Sequence, residues 1–177
     1  MANHSLRLRN GNLIIRIIKP EDIGKEYIKW MNDYYITKYT EQKFIKHDFK
    51  RIKRFIIEKF KSRYDYLFGI FFDSVHIGNI LISSINLHHK SCNLSYLIGK
   101  KEFWGKGITS YAISEMIKFA FNNLKLEKIS AGCYENNIGS LRVLEKNKFK
   151  IEGRIKKNII FENKRIDSLI LGLNKST

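Results

Sequence analysis

Two neighbouring stretches constrain the fold more than any others, YLFGIFFD (66–73) and VHIGNILISSI (75–85). Both are rich in aromatic and β-branched residues, and only the polar Asp73-Ser74 interrupts them. Runs of this kind, joined by two polar residues, read as a β-hairpin. A third strand, SCNLSYLIG (91–99), follows the polar NLHHK. Upstream, NLIIRII (12–18) reads as a strand ended by KPED. Pro20 suits a first helical turn and Glu21 and Asp22 suit the helix dipole, so a helix is expected from about Pro20 to Asn32. The aromatic YYITKYTEQ (34–42) is expected to be a loop or short turn. In KHDFKRIKRFIIEKFKSR (46–63), Phe49, Ile52, Phe55, Ile56 and Phe60 recur at three and four, which predicts an amphipathic helix with a basic face.

The second half alternates element types. Ile108, Ala112, Ile113, Met116, Ile117 and Ala120 mark one helical face. EKISAGCY (127–134) is a short strand, and NNIGSLRVLEKNK (136–148) a helix with Asn137 as cap. FKIEGRIKKNIIF, a turn at ENK, and RIDSLILGL close the chain as strands. Strands, then strand–helix–strand–helix, then strands again describe a mixed α/β sheet with helices packed on it.

The 177 residues suit one domain, and a 44% hydrophobic content with a single proline supplies one core. No apolar run approaches the roughly 20 residues of a membrane span, and the opening MANHSLRLRNGN lacks the apolar centre of a signal peptide. Cys92 and Cys133 fall in strand-like stretches, which fits buried reduced thiols and a cytoplasmic protein. No Cys/His cluster has zinc spacing, and His88-His89 is a bare pair, so no metal is expected. The net charge of +16 favours anionic partners, although enrichment in Lys, Ile and Asn also fits compositional drift.

Between a strand and a helix lies EFWGKGITSYAI (102–113). Gly105 and Gly107 permit a tight turn, and the free amides of the following helix start would converge on one spot where the dipole favours an anion. Lys106 adds a charge and Ser110 a hydroxyl. A P-loop is excluded: five residues separate Gly99 from Gly105, and Ile108 replaces the Ser or Thr. A dinucleotide fingerprint lacks its third glycine, because residue 110 is Ser.

IGKKEFWGKGITSYAI (98–113) and YENNIGSLRVLEKNKFKIEGR (134–154) carry a resemblance to the GCN5-related N-acetyltransferase (GNAT) family. The likeness runs from LIIRIIKPED to RIDSLILGL and is narrower to a bacterial branch of ribosomal-protein N-terminal, polyamine and amino-sugar acetyltransferases. The family's Gln/Arg-x-x-Gly-x-Gly/Ala loop falls on Trp104 to Thr109; Gly107 matches, while Trp104 and Thr109 depart. The resemblance implies a single-domain fold with a mostly antiparallel sheet, in which two central parallel strands splay around acetyl-CoA. It places the pyrophosphate on the amides of Gly105, Lys106, Gly107, Ile108, Thr109 and Ser110, after Trp104. It places the thioester carbonyl on the backbone near Leu97 and Ile98, and Asn137 near the pantetheine arm.

Acetyl transfer to an amine needs a deprotonated nitrogen, a polarised carbonyl and a protonated leaving sulfur. Direct attack needs orientation rather than an enzymic nucleophile. Many relatives carry a base where Asn93 stands; Glu41, His88, His89 or a water chain are the substitutes. Many carry a tyrosine where Leu144 stands, so Ser140 or Tyr134 is the candidate acid. The acceptor is expected to enter past YYITKYTEQ and the IKKNIIFENKR hairpin, among Tyr34, Tyr35, Tyr39 and Glu41. Arg154, Lys156, Lys157, Lys164 and Arg165 argue against a polyamine and suit a nucleotide-linked amino sugar, or a protein N-terminus near ribosomal RNA. A nucleic-acid or ribosome-binding module and a CoA-binding protein without catalysis are the alternatives, and paired terminal strands allow a homodimer.

Overall fold

In the computed structural model, residues 7–175 are described; the first part of the segment read against a signal peptide lies outside them. Eight strands form one sheet: β1 (Arg7–Asn10), β2 (Leu13–Ile17), β3 (Tyr66–Phe72), β4 (Val75–Asn86), β5 (Ser91–Ile98), β6 (Lys128–Tyr134), β7 (Lys150–Phe161) and β8 (Lys164–Asn174). Their spatial order is β1-β2-β3-β4-β5-β6-β8-β7, and every neighbouring pair is antiparallel except β5–β6. The sheet thus forms around the expected hairpin, whose turn residues Asp73 and Ser74 sit at φ 47° and 64°. Two consecutive positive φ values give the turn that follows the right-handed strand twist. Glu162 and Asn163 close β7–β8 in the same way, at φ 48° and 63°. The short β1 was not anticipated.

Strand alternation sends side chains to two cores. Phe68, Ile80, Ile82, Leu94 and Ile129 pack with Ala112, Ile113 and Met116 of α4 (Ile108–Lys118) and with Leu144 of α5 (Ile138–Lys146). On the opposite face, Leu67 joins Tyr27 and Trp30 of α1 (Lys25–Met31) and Ile36 of α2 (Tyr34–Thr37). Ile52 and Ile56 of α3 (Phe49–Lys61) complete this second cluster. Of the expected α4 face, Ala112, Ile113, Met116 and Ala120 are buried, and Ile108 and Ile117 are half-buried.

Three local expectations are corrected. The helix from Pro20 to Asn32 is broken into a 3₁₀ turn, Pro20–Asp22, and α1. The Asp22 carboxylate accepts from the Lys19 amide at 2.7 Å and grips Arg16, which ends the turn before extended Gly24 starts α1. YYITKYTEQ is ordered into α2, capped by Asp33 accepting from the Tyr35 amide, and a 3₁₀ turn, Glu41–Phe44, capped by Thr40. In α3 only Ile52 and Ile56 of the apolar stripe are buried; Phe49, Phe55 and Phe60 are 49%, 38% and 41% exposed, because the single cluster beneath the helix reaches a narrower arc than the stripe.

Candidate active site

The parallel strands β5 and β6 pair only through Ser91–Lys128, Cys92–Ile129 and Asn93–Ser130. Beyond Asn93 each strand follows its outer partner, β5 staying on β4 as far as Ile98 and β6 on β8 as far as Tyr134. The result is a wedge opening toward Ile98 and Tyr134. Gly99 N–H donates to Ile77 O at 2.9 Å on the β4 side, and Leu97 registers with Asn79. Backbone groups alternate along a strand, so those of Leu97 serve β4 and those of Ile98 face the wedge. The Ile98 carbonyl accepts the Trp104 indole N–H at 3.0 Å, leaving its amide for a ligand.

At the wedge mouth, Gly105 and Gly107 adopt φ +72° and +79°, and Gly107 caps α4 from the left-handed region. A Cβ on either glycine would meet nothing within 4 Å, so the bend is open to a ligand's close approach. None of the amides of residues 105–110 donates to a protein acceptor among the described residues, and Tyr111 makes the first bond, to Gly107 O. This array fits a diphosphate, with exposed Lys106 beside it. Ile108, Thr109 and Ser110 are half-buried, and Ser110 Oγ accepts from Asn147 Nδ2 at 3.0 Å, which orients its remaining proton.

Across the wedge, Asn137 caps α5 by accepting from the Ser140 amide at 3.3 Å. Its neighbour Asn136 keeps a buried Oδ1 with no hydrogen-bond partner among the described residues. Ser140 Oγ lies 2.5 Å from the Tyr96 hydroxyl. Tyr96 was not singled out in the sequence; alternation places it beside Leu94 and Ile98, but its partner is 44 residues away and leaves no local signal. Burial raises the Tyr96 phenol, and the Ser140 bond only partly opposes this. Burial pushes the Cys92 thiol up to about 12, and burial, partly opposed by the bond to Ser140, raises that of Cys133, which favours the protonated thiol at both.

On the far side of the open end, Tyr134 donates to Glu41 Oε1 at 2.8 Å. Burial, then the bond to Glu41, raises the phenol. The acid and base candidates are thereby brought together, whereas His88 and His89 sit at the closed end, their amides bound to Asn86 Oδ1. Around the pair, Tyr39 stacks on Phe161 at 5.2 Å, and Lys43 Nζ lies 5.1 Å from the Tyr134 ring and 5.4 Å from that of Phe161. Tyr34 and Tyr35 pack edge to face nearby in the chain, 46% and 66% exposed. Of the basic hairpin residues, Arg154 is tied to Glu135 and Asp167. Lys38 and Lys43 make no ion pair among the described residues. No group of three or more His, Cys, Asp or Glu side chains among the described residues could hold a metal.

Residues 12–150 match the family model described as an acetyltransferase (GNAT) domain. The chain is 31% identical to Acetyltransferase PseH of Campylobacter jejuni over 70% of its own length and 74% of the relative's. It is 37% identical to the "Probable N-acetyltransferase YjcK" of Bacillus subtilis, with 58% of each chain covered. Among solved structures, the ribosomal L7/L12 alpha-N-protein acetyltransferase RimL in complex with coenzyme A superimposes with a TM-score of 0.85 at 14% identity, over 96% of this chain and 98% of that one. That likeness is one of fold.

Proposed function

Because the chain belongs to the GNAT family of N-acetyltransferases, whose cosubstrate is acetyl-CoA, we propose that it acetylates the primary amine of a nucleotide-linked amino sugar by direct attack. The observation that carries the acceptor is the mouth of the wedge. A carboxylate–phenol pair, Glu41 and Tyr134, is walled by stacked Tyr39 and Phe161 and flanked by Lys38 and Lys43, which have no carboxylate partner among the described residues. Rings suit a sugar or base, cations suit a diphosphate, and a polycation would be repelled.

Bound acetyl-CoA supplies an activated carbonyl and a thiolate leaving group. The amides of residues 105–110, with Lys106 and the Ser110 hydroxyl, hold its diphosphate. Trp104 fixes the Ile98 carbonyl, so the Ile98 amide can polarise the thioester oxygen. Asn137 and Asn136 border the arm's path. Glu41 accepts the proton released by the amine, with Tyr134 holding the carboxylate in place. Ser140 gives a proton to the departing sulfur. Direct attack asks nothing of Cys92 or Cys133, whose thiols burial raises.

Free-thiol release measured over nucleotide-linked amino sugars, free amino sugars, polyamines and N-terminal peptides tests this. The nucleotide-linked sugar should show the highest kcat/KM, and Lys43→Ala should lower that value about tenfold through KM, as expected for losing a charge-assisted contact of about 1.5 kcal/mol. A peptide preferred over every sugar overturns the acceptor. Coenzyme A binding with no release to any amine overturns the catalysis.

A further inference from the structure

Tyr96 sits at the wedge with a role that none of the groups above supplies. It lies on β5 beyond Asn93, the last residue paired with β6, and its side chain crosses the gap to the first turn of α5. The hydroxyl lies 2.5 Å from Ser140 Oγ and 3.2 Å from Ser140 O. The Ser140 amide is held separately by Asn137 Oδ1. The phenol has one proton, and the shorter contact is the one to Oγ, so Ser140 is held at its nitrogen by Asn137 and at its hydroxyl by Tyr96.

We propose that Tyr96 is a positioning residue for acetyl transfer, its phenol fixing the Ser140 hydroxyl so that the serine proton points at the departing sulfur. This rests on the reading of Ser140 as proton donor. A hydroxyl has one proton and two acceptor sites. When Tyr96 donates to Oγ, one acceptor site is filled and the serine keeps its own proton to give, with the Cys133 sulfur as the protein group also within its reach. Leu144, one turn further along α5, is fully buried and has no proton to give. Burial raises the Tyr96 phenol, so it stays a donor throughout.

The step balances without an added reagent. As the amine nitrogen bonds to the acetyl carbon, the C–S electron pair passes to sulfur. The Ser140 proton moves to that sulfur, and the amine proton passes to Glu41. Ser140 is then reprotonated from solvent and Glu41 releases its proton to solvent, which restores both groups. While the serine oxygen carries developing negative charge, the short Tyr96 bond becomes charge-assisted and strengthens.

The test is a cycle of Tyr96→Phe, Ser140→Ala and the double variant. Thiol release from acetyl-CoA is measured to the best amine of the acceptor panel and to water alone, beside acetyl-CoA affinity and thermal melting. Tyr96→Phe should lower kcat about tenfold with acetyl-CoA affinity within about twofold, and Ser140→Ala about a hundredfold. The double variant should be no slower than Ser140→Ala, because residues acting as one unit are not additive. A full kcat for Tyr96→Phe, or a loss that repeats undiminished on the alanine background, overturns the proposal. If Ser140→Ala keeps full turnover, the serine reading falls and Tyr96 with it; if only Tyr96→Phe is silent, Tyr96 alone falls. Should Tyr96→Phe not melt cooperatively, site-specific 3-fluorotyrosine at residue 96 preserves packing, and kcat must then follow the phenol's acidity or the proposal fails.

Discussion

Glu41 and Tyr134 stand 93 residues apart in the chain and share a 2.8 Å hydrogen bond. A carboxylate that accepts a hydrogen bond from a phenol at one oxygen is held in place and keeps its second oxygen to take a proton, which is the arrangement a general base needs. Glu41→Gln keeps the shape and removes the basicity; kcat should fall about 100-fold with acetyl-CoA affinity unchanged in titration calorimetry. A second residue-scale consequence concerns stability. Asp22 is drawn upward by burial, but Arg16 at 2.6 Å and the Lys19 amide outweigh this and lower it. A carboxyl lowered on folding stabilises above its unfolded value and loses that contribution as pH falls through the folded one. Asp22→Asn should cost about 1–2 kcal/mol at neutral pH, and the gap to wild type in urea melts should close below about pH 4.

At the scale of elements, the glycine bend is where sequence and structure agree in most detail. Gly105 and Gly107 were marked by the need for a turn before a helix, and both take positive φ. Gly107→Ala should cost about 1 kcal/mol, since a Cβ is disfavoured in the left-handed region, while a Cβ there meets no protein atom. Coenzyme A affinity should fall by much more than that strain explains, as read by calorimetry at a temperature where the variant is fully folded. Equal affinity would remove the bend from the binding site. The break after Asp22 was less legible, because it depends on Arg16 reaching back from β2 to the carboxylate. The order in YYITKYTEQ was legible only in hindsight, through the Asp33 and Thr40 caps. Gly99 had a different use from the glycines of the bend: a Cβ there would lie 0.9 Å from the Trp30 ring, so this position lets α1 close on β5.

For the whole molecule, one sheet separates two apolar clusters, one under α4 and α5 and one under α1 and α3. Ile113 and Ile56 are 0% and 1% exposed on opposite faces. Ile113→Ala and Ile56→Ala should each cost about 2–5 kcal/mol. Both should lower the same single transition in denaturant melts, because the strands between them belong to both cores; two separate transitions would contradict one cooperative domain. The hairpin, the helix capped by Asn137, the glycine bend and the excess of positive charge were readable from the chain alone. These depend on preferences set by residues a few positions apart. Residue preferences do not show the opening of β5 from β6, which entered only with the family resemblance; tertiary structure makes it, by holding each strand on an outer partner, β4 or β8. It alone also brought Glu41 to Tyr134 and Tyr96 to Ser140, because long-range contacts are chosen by how the sheet packs and not by any spacing along the chain.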